Sequence, residues 1–287
     1  MCLNPRKRKN QMQQSLLNCP VCSGHYCKEI NTSFRKCRNC GIIYNEAHRL
    51  LDYDDNYFTD SYRQQYGKSY IEDFNNIYSS GKRRIDNILQ FYKQRDTVQN
   101  AALLDLGCAT GFFLKAAEDS GINDLTGVEI SSYAANYIQK NFPYKILNKS
   151  FKDIEFPRKY DIITAWFFIE HFDDTNYVLQ KVFDNLRTGG IFAFSVPSFF
   201  GPSFLLDKDN WINTHPLDHR VDFSPASIKT VLSKYGFSVK KIVPSGIHPE
   251  RVLNNKSLIY PLFKPVYKLF SDITAFSDTI EIYSEKN

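Results

Sequence analysis

From Ala101 onward, short apolar runs alternate with amphipathic segments. The apolar runs predict strands at Ala102–Leu106, Leu125–Glu129, Lys145–Leu147, Asp161–Phe167 and Ile191–Val196. The segments with helical spacing are Phe112–Asp119, Ser132–Asn141, Asn176–Leu186 and Pro225–Tyr235. Two further strands are expected at Phe237–Val243 and Thr279–Ser284. Strands that alternate with helices are joined by crossover connections, so the pattern predicts an α/β fold around a parallel sheet.

Size and charge exclude several classes of protein. A chain of 287 residues with 43% hydrophobic and 23% charged residues can bury a core and is not a disordered tail. No apolar stretch approaches the roughly 18 residues of a membrane-spanning helix, and the first residues lack the apolar core of a signal peptide, so we expect a cytoplasmic protein. The run Arg6–Lys9 supplies four of the net charge of +5 and leaves +1, which gives no strong nucleic-acid signal. We interpret that run as a solvated tail.

Four of the seven cysteines form two pairs. Cys19 and Cys22 are separated by two residues, as are Cys37 and Cys40, and 14 residues lie between the pairs. Two such turns can present four thiolates tetrahedrally to one zinc ion, and a closed four-sulfur site leaves no position for a catalytic water. We therefore predict a structural zinc that folds a ribbon too small for a core of its own. The alternatives are ordinary thiols of a reducing compartment, or Cys27 in place of one ligand.

A glycine-containing turn follows the first predicted strand of the sheet. The segment Leu103–Gly111 ends that strand and opens a helix, so a ligand can approach the backbone and the free N–H groups of the helix N-terminus. A nicotinamide fingerprint would require glycine at 107, 109 and 112, but Ala109 and Phe112 occupy two of these positions. Taken alone, the turn could also serve another nucleotide-like ligand.

The turn and four later segments occur in one order. Asp105 precedes Gly107 by two residues, and Ala109 separates Gly107 from Gly111, which resembles motif I of the class I S-adenosylmethionine-dependent methyltransferases. The later segments resemble family motifs as well: Glu129 after the next strand, Lys149–Ile154, Tyr160–Ile163 with Ile169–Phe172, and Leu186–Gly190. The resemblance covers the last two thirds of the chain. It implies a Rossmann-like seven-stranded sheet, a methyltransferase activity and S-adenosylmethionine held by Asp105, Gly107, Gly111, Glu129, Ser150, Phe151 and Trp166. For Trp166, plain burial in the core is the alternative.

Two residues depart from the family pattern. Many members have an aspartate at the position of Ser150, whose hydroxyl accepts a hydrogen bond more weakly. The ubiquinone-pathway O-methyltransferases have an acid at the position of Phe167 that contributes to a metal site, so we expect no catalytic divalent ion here. The expected organisation is a tail and zinc ribbon at 1–45, a helical linker and lid at 46–98 and the methyltransferase domain at 99–287, with a helical cap. This arrangement also resembles bacterial methyltransferases with a cysteine-rich N-terminal module, including nucleotide-sugar C-methyltransferases.

Three histidines are candidates for the general base. His171 follows the fourth strand of the sheet, and His215 and His219 lie in the loop 197–222 after the fifth strand. Histidine is the usual acid or base near neutral pH, and the carboxyl ends of these strands face the ligand site of an α/β sheet. A base is needed only for a hydroxyl or an acidic carbon. The alternatives are a helix-entry role for His171 and substrate orientation by His215 or His219.

The segment 258–270 in the insert 244–277 has an apolar face with a few lysines. It could lie in a membrane interface and bring a lipid-linked acceptor to the enzyme, or it could form a cap over the active site. We expect transfer of a methyl group to a small-molecule acceptor such as a sugar or a polysaccharide- or lipid-linked intermediate. The alternatives are an inactive methyltransferase-like scaffold and, with less support, an RNA methyltransferase.

Overall fold

The computed structural model describes residues 18–50, 58, 60, 62–93 and 95–287. The run Arg6–Lys9 and part of the predicted linker lie outside these residues. The described strands are β1 (Cys27–Glu29), β2 (Phe34–Cys37), β3 (Ile43–Asn45), β4 (Ala102–Leu106), β5 (Asp124–Val128), β6 (Lys145–Leu147), β7 (Tyr160–Trp166), β8 (Leu186–Pro197), β9 (Val221–Asp222), β10 (Phe237–Pro244) and β11 (Thr279–Lys286). The described helices are α1 (Tyr62–Tyr66), α2 (Phe74–Phe91), α3 (Phe112–Glu118), α4 (Ser132–Asn141), α5 (Thr175–Asn185), α6 (Pro202–Leu206), α7 (Lys208–Thr214), α8 (Pro225–Lys234) and α9 (Tyr260–Thr274). Short 3-10 helices cover Arg95–Asn100, Phe151–Asp153, Ile169–His171 and Pro249–Arg251.

A seven-stranded sheet forms the centre of the molecule, in the order β10-β11-β8-β7-β4-β5-β6. Strands β4 to β8 pair in parallel, whereas β11 pairs antiparallel with both β8 and β10. All residues of β4 and the first six of β7 are buried, which fits strands covered on both faces. The predicted α/β fold with a Rossmann-like seven-stranded sheet is confirmed.

Helices cover both faces of this sheet. One hydrophobic cluster joins the sheet to α2, α3 and α4 through side chains such as Ile85, Leu114 and Ile138. The other cluster joins the opposite face to α5 and α8, and it includes Val178 and Val231. Each helix therefore buries its apolar stripe against the sheet, as the helical spacing predicts.

The segment Leu186–Gly190 differs from its sequence-based interpretation as a turn before the fifth strand. It belongs to β8, and the pairing with β7 changes register between Tyr160↔Leu186 and Ile162↔Ile191. The extra residues of β8 bulge from the parallel pair, and Gly189 has a φ of +74° there. A glycine can adopt that backbone conformation without strain, so the Gly-Gly pair permits the bulge inside the strand.

The cysteine-rich ribbon is part of the main core. Its strands form a second sheet in the order β1-β2-β3-β9, and β9 comes from the loop that follows β8. Ile43 pairs with Asp222, and Tyr44 pairs with Val221. Val21 is fully buried in the same cluster as α5 and α8, and its carbonyl accepts a 2.8 Å hydrogen bond from the Tyr235 hydroxyl. The ribbon is thus joined to the loop in which two candidate histidines lie.

The insert between β10 and β11 emerges at the functional edge of the sheet. Because β11 is antiparallel to both neighbours, β10 runs in the same direction as β8. The carboxyl ends of β4, β7, β8 and β10 therefore meet at one edge, where open α/β sheets bind their ligands. The insert carries α9 from this edge.

Candidate active site

The predicted cofactor turn has the conformation that its glycines allow. Gly107 and Gly111 have φ values of +70° and +80°, and Gly111 begins α3. A Cβ atom on Gly107 would lie 2.7 Å from Cδ2 of Phe168. Both the backbone conformation and the close ring therefore require glycine at 107. The contact also places the segment after β7 directly beside the turn.

Glu129 is fixed across this turn. Its carboxylate accepts hydrogen bonds from the Ala109 N–H at 2.9 Å and from the Ser131 N–H at 2.8 Å. Each bond engages a different oxygen, so both oxygens keep a lone pair for a further donor. The side chain is almost completely buried, and this burial raises its pKa although the two backbone bonds oppose the shift. The arrangement suits a carboxylate that accepts two hydroxyl groups.

Asp105 lies inside the sheet at the end of β4. Thr164 donates a 2.6 Å hydrogen bond to Oδ1, and burial raises the pKa of Asp105 to about 7, against the effects of Thr164 and the positive charge of Arg84. The Arg84 guanidinium lies over the Trp166 ring, 4.2 Å from its centre, while its Nε donates to Glu281 at 2.9 Å. Arg84 therefore links Trp166 to Glu281, and its positive charge acts on Asp105 at the end of β4.

The Ser150–Phe151 loop is tied to α5. Lys181 donates from Nζ to the Phe151 carbonyl at 2.7 Å and lies 4.8 Å from the centre of the Phe151 ring. The buried ring also contacts Phe168 edge to face at 5.7 Å. Because Phe168 contacts Gly107, the loop, the cofactor turn and the segment after β7 form one packed unit.

His171 is held by a carboxylate. Its Nδ1 lies 3.1 Å from Oδ2 of Asp218, which comes from the loop after β8. Burial opposes the charged imidazole, but the Asp218 hydrogen bond and the negative charge of Glu170 outweigh this effect, so the pKa of His171 is raised. A histidine oriented by a half-buried carboxylate has the arrangement of a general base.

Glu170 and His219 complete this cluster. Among the described residues neither carboxylate oxygen of Glu170 has a hydrogen-bond partner, and burial raises its pKa to about 7. Burial and the adjacent His171 lower the pKa of His219 to about 4. One ligand atom from each of Glu170, His171 and His219 lies within 4.8 Å of the others, close enough to share one ion.

His215 is connected to the ribbon. Its Nε2 lies 2.9 Å from Oδ2 of Asp222, and its Nδ1 lies 2.9 Å from the Pro216 carbonyl oxygen. Burial opposes protonation, but Asp222 outweighs it and the pKa of His215 is raised. Phe34 of β2 contacts the imidazole ring edge to face at 4.9 Å. Other groups thus engage both ring nitrogens of His215. This geometry does not favour His215 as the base, and that role stays a prediction.

The four predicted zinc ligands come together. The Sγ atoms of Cys19 and Cys40 are 3.5 Å apart, those of Cys22 and Cys37 are 3.6 Å apart, and all four lie within 4.8 Å of one another. A tetrahedral zinc site with Zn–S bonds of about 2.3 Å separates its sulfurs by about 3.8 Å, so the donor set fits the ion. Cys27 lies apart from this group, where its Sγ accepts a hydrogen bond from the Tyr44 hydroxyl at 3.1 Å.

Three residues at the site were not singled out from the sequence. Arg84 faces Trp166 from α2, and its sequence signal is a basic residue beside the apolar stripe that includes Ile85. Asp218 lies in the loop 197–222 with no local pattern that marks it, yet its carboxylate contacts His171. The buried His48 bonds to the Asp218 carbonyl oxygen at 3.1 Å, and no local pattern marks it.

The family of the chain follows from a comparison with protein families. A family model described as a methyltransferase domain matches residues 79–242, which is more than half of the chain. The chain belongs to this family of S-adenosylmethionine-dependent methyltransferases. The matched range begins in α2 and ends in β10, so it includes the cofactor turn, Glu129 and all three candidate histidines.

Curated relatives and solved structures are consistent with this family. The methyltransferase is 25% identical over 122 residues to malonyl-[acyl-carrier protein] O-methyltransferase of Acetivibrio thermocellus, a match that covers 41% of this chain and 43% of the relative. It is 20% identical over 202 residues to ubiquinone biosynthesis O-methyltransferase of Rickettsia typhi, covering 66% and 76%. A SAM-dependent methyltransferase from Archaeoglobus fulgidus has the same fold, with a TM-score of 0.54, 19% identity and coverage of 81% and 100%.

Proposed function

We propose that this methyltransferase transfers a methyl group to a hydroxyl oxygen or an acidic carbon of a small-molecule acceptor, with His171 as the general base. The observation that carries the proposal is the 3.1 Å pair between His171 Nδ1 and Asp218. His171 lies in the segment after β7, in which Phe168 contacts the cofactor turn. A base in this position is adjacent to the site at which S-adenosylmethionine would present its methyl group.

S-adenosylmethionine fits the residues of the cofactor turn. Glu129 has two oxygens with free lone pairs for the ribose hydroxyls, and Gly107 and Gly111 let the ligand approach the backbone. Two buried polar atoms near them, Oγ1 of Thr110 and Nε1 of Trp166, have no partner among the described residues. Such atoms are costly unless a ligand or water satisfies them. Asp105, Ser150 and Phe151 would complete the binding site.

The protein contributes orientation and proton transfer. The bound cofactor would supply a methyl group on a sulfonium, from which a neutral thioether leaves easily. The chain must therefore mainly hold the acceptor in line with the breaking carbon–sulfur bond. Asp218 accepts a hydrogen bond from Nδ1–H of His171 and so orients the imidazole, which takes the proton from the acceptor. His219, with a pKa of about 4, stays neutral beside it and does not oppose the developing imidazolium charge. Its role is to orient the acceptor.

The acceptor is a small oxygen-containing molecule. Both curated relatives are named O-methyltransferases, one of malonyl-[acyl-carrier protein] and one of ubiquinone biosynthesis. A hydroxyl acceptor needs the base that the His171–Asp218 pair offers. A sugar or a lipid-linked sugar intermediate has such hydroxyls. Zinc at Cys19, Cys22, Cys37 and Cys40 would be structural, since four sulfurs leave it no open position.

An acceptor screen tests the proposal. The full chain is incubated with methyl-labelled S-adenosylmethionine and a panel of sugars, nucleotide sugars and lipid-linked sugars. We expect label in at least one acceptor, and His171→Gln should abolish its transfer while calorimetry finds cofactor affinity near wild type. Tight cofactor binding with no transfer to any acceptor would favour the inactive scaffold instead. Transfer that His171→Gln does not slow would remove the base from the proposal.

A further inference from the structure

Helix α9 is anchored to the domain through one face. Tyr267 and Ser271 are its buried residues, and the Tyr267 ring contacts Phe276 at 5.9 Å. The Phe263 ring packs on Tyr267 at 5.4 Å. Since residues four apart lie on the same side of a helix, these contacts fix the rotation of α9 and determine which of its residues point away from the domain.

The outward face of α9 is apolar. Leu262 and Ile273 are 76% and 74% exposed, and Leu258, just before the helix, is 97% exposed. We call the exposed apolar side chains on this face the α9 strip; its residues are Ile259, Leu262, Val266, Leu269, Phe270 and Ile273. A strip of this size exceeds the scattered apolar residues of an ordinary protein surface and marks a binding surface.

Positive charge accompanies the α9 strip. Residues 254–274 contain Lys256, Lys264 and Lys268 against Asp272, a net charge of +2. Lys268 pairs with Asp272 at 2.7 Å, whereas Lys256 and Lys264 have no ion-pair partner among the described residues. Lys264 and Lys268 are four residues apart and each follows a strip residue by two positions, so they lie together on the side of the helix opposite to the strip. A helix with a broad apolar face and lysines on its polar face is typical of helices that lie in a membrane interface.

The strip is located at the edge of the sheet that carries the active site. The insert begins at the carboxyl end of β10, on the same edge of the sheet as the carboxyl end of β8. Arg251 in the insert pairs with Asp278. Asp278 also accepts a hydrogen bond from the Ser203 hydroxyl at 2.9 Å, which ties the insert to α6. Helix α6 itself exposes Leu205 and Leu206. Two neighbouring segments of this edge thus expose aliphatic side chains.

We propose that α9 binds the surface of a lipid bilayer with anionic headgroups, with its strip among the acyl chains and its lysines at the phosphates. None of the helices in the described residues is long and apolar enough to span a membrane, so the contact is interfacial. A bilayer suits this surface because the strip lies on one side of a single helix, and because Lys256 and Lys264 add positive charge that no acid among the described residues pairs. The contact would bring the carboxyl edge of the sheet close to acceptors embedded in the bilayer. The inference does not depend on which acceptor is methylated.

Co-sedimentation with vesicles tests the lipid contact. The full chain is mixed with vesicles of phosphatidylcholine, with and without phosphatidylglycerol, and the bound fraction is measured at low and high salt. We expect binding to the anionic vesicles that weakens with salt. Leu262→Gln combined with Ile273→Gln should weaken vesicle binding by roughly tenfold or more, because two aliphatic side chains that would be buried in the bilayer are lost. Lys264→Glu should weaken binding to anionic vesicles only.

Matched controls make the test decisive. Leu50 is 63% exposed but lies outside the insert, so Leu50→Gln should leave vesicle binding unchanged. Calorimetry with S-adenosylmethionine shows whether each variant is folded, independently of methyl transfer. A wild-type chain that ignores both kinds of vesicle would overturn the inference. So would a dimer in analytical ultracentrifugation that Leu262→Gln dissociates, because the strip would then be covered by a second copy of the chain.

Discussion

If the ribbon holds zinc and the loop 197–222 holds the acceptor, as we propose, loss of the zinc should loosen that loop. Cys37→Ser removes one of four sulfurs that lie within 4.8 Å of one another, so we expect the protein to lose its zinc. Cys37 ends β2, which pairs with β3, and β3 in turn pairs with β9 of the loop. The cofactor turn is built on β4 and makes no use of these strands. The substitution should therefore separate acceptor binding from cofactor binding.

The size of the effect follows from the contacts that cross between ribbon and loop. Asn45 donates to the Arg220 carbonyl at 2.9 Å, and two further positions pair between β3 and β9. If each of these connections supplies about 1 kcal/mol of net stability, about 3 kcal/mol holds the loop in place. Since about 1.4 kcal/mol corresponds to a tenfold change, the loop should open roughly 10²-fold more often.

Hydrogen exchange measures this opening directly. The amides of residues 43–45 and 221–223 should exchange roughly 10²-fold faster in Cys37→Ser, while calorimetry should find cofactor affinity within about twofold of wild type. Cys27→Ser is the matched control, because Cys27 lies in the same ribbon outside the four-sulfur group and should keep both the zinc and slow exchange. Unchanged exchange in a zinc-free Cys37→Ser protein would refute the coupling. Loss of cofactor binding as well would show that the whole domain had unfolded.

Three further predictions concern buried acids and the base. Glu129→Ala should weaken S-adenosylmethionine binding in calorimetry by about 10- to 100-fold, since charged hydrogen bonds contribute about 1.5–3 kcal/mol; an unchanged affinity would place the ribose elsewhere. In the proposed mechanism neutral His171 is the base and its pKa is raised, so kcat should fall as the pH drops through that raised value, and Asp218→Asn should move this acidic limb to lower pH. A limb that stays in place would exclude the pair. Burial raises the pKa of Glu170 from 4.5 to about 7, so its neutral form stabilises the fold below pH 4.5 and about 3 kcal/mol is lost as the pH rises to about 7. Thermal unfolding of Glu170→Gln across this pH range should show no such loss of unfolding free energy. An equal loss in the wild type and in Glu170→Gln would contradict the assignment.

The sheet could be predicted from the sequence because its strands are buried on both faces. Runs such as Ala102–Leu106 are apolar without alternation, and helical spacing between them leaves few alternatives to a parallel α/β sheet. The bulge in β8 could not be predicted in the same way. Leu186–Gly190 has the composition of a turn, and whether such a segment leaves the sheet or bulges within it depends on pairing with β7. That pairing is a long-range contact without a local signal.

Parts of the site could be predicted where a short sequence segment determines them. Parts that depend on contacts between distant segments could not. The turn at Gly107 carries its own signature, because a positive φ favours glycine there. The partner of His171 carries none, since Asp218 lies 47 residues later in the chain and meets it only after β8 returns to the edge of the sheet. Similarly, the spacing of the cysteines predicts a ribbon but does not say that β3 will pair with β9.

That pairing changes what a structural ion does in this enzyme. A closed four-sulfur site has no catalytic position, so by itself it would only fold its ribbon. Here the ribbon supplies β3 to β9 and the Phe34 ring to His215, and both partners belong to the loop after β8. Asp218 lies in the same loop between these two contacts. The ribbon therefore helps to position the carboxylate beside His171, so zinc at the four cysteines would influence the alignment of the proposed base without taking part in the reaction.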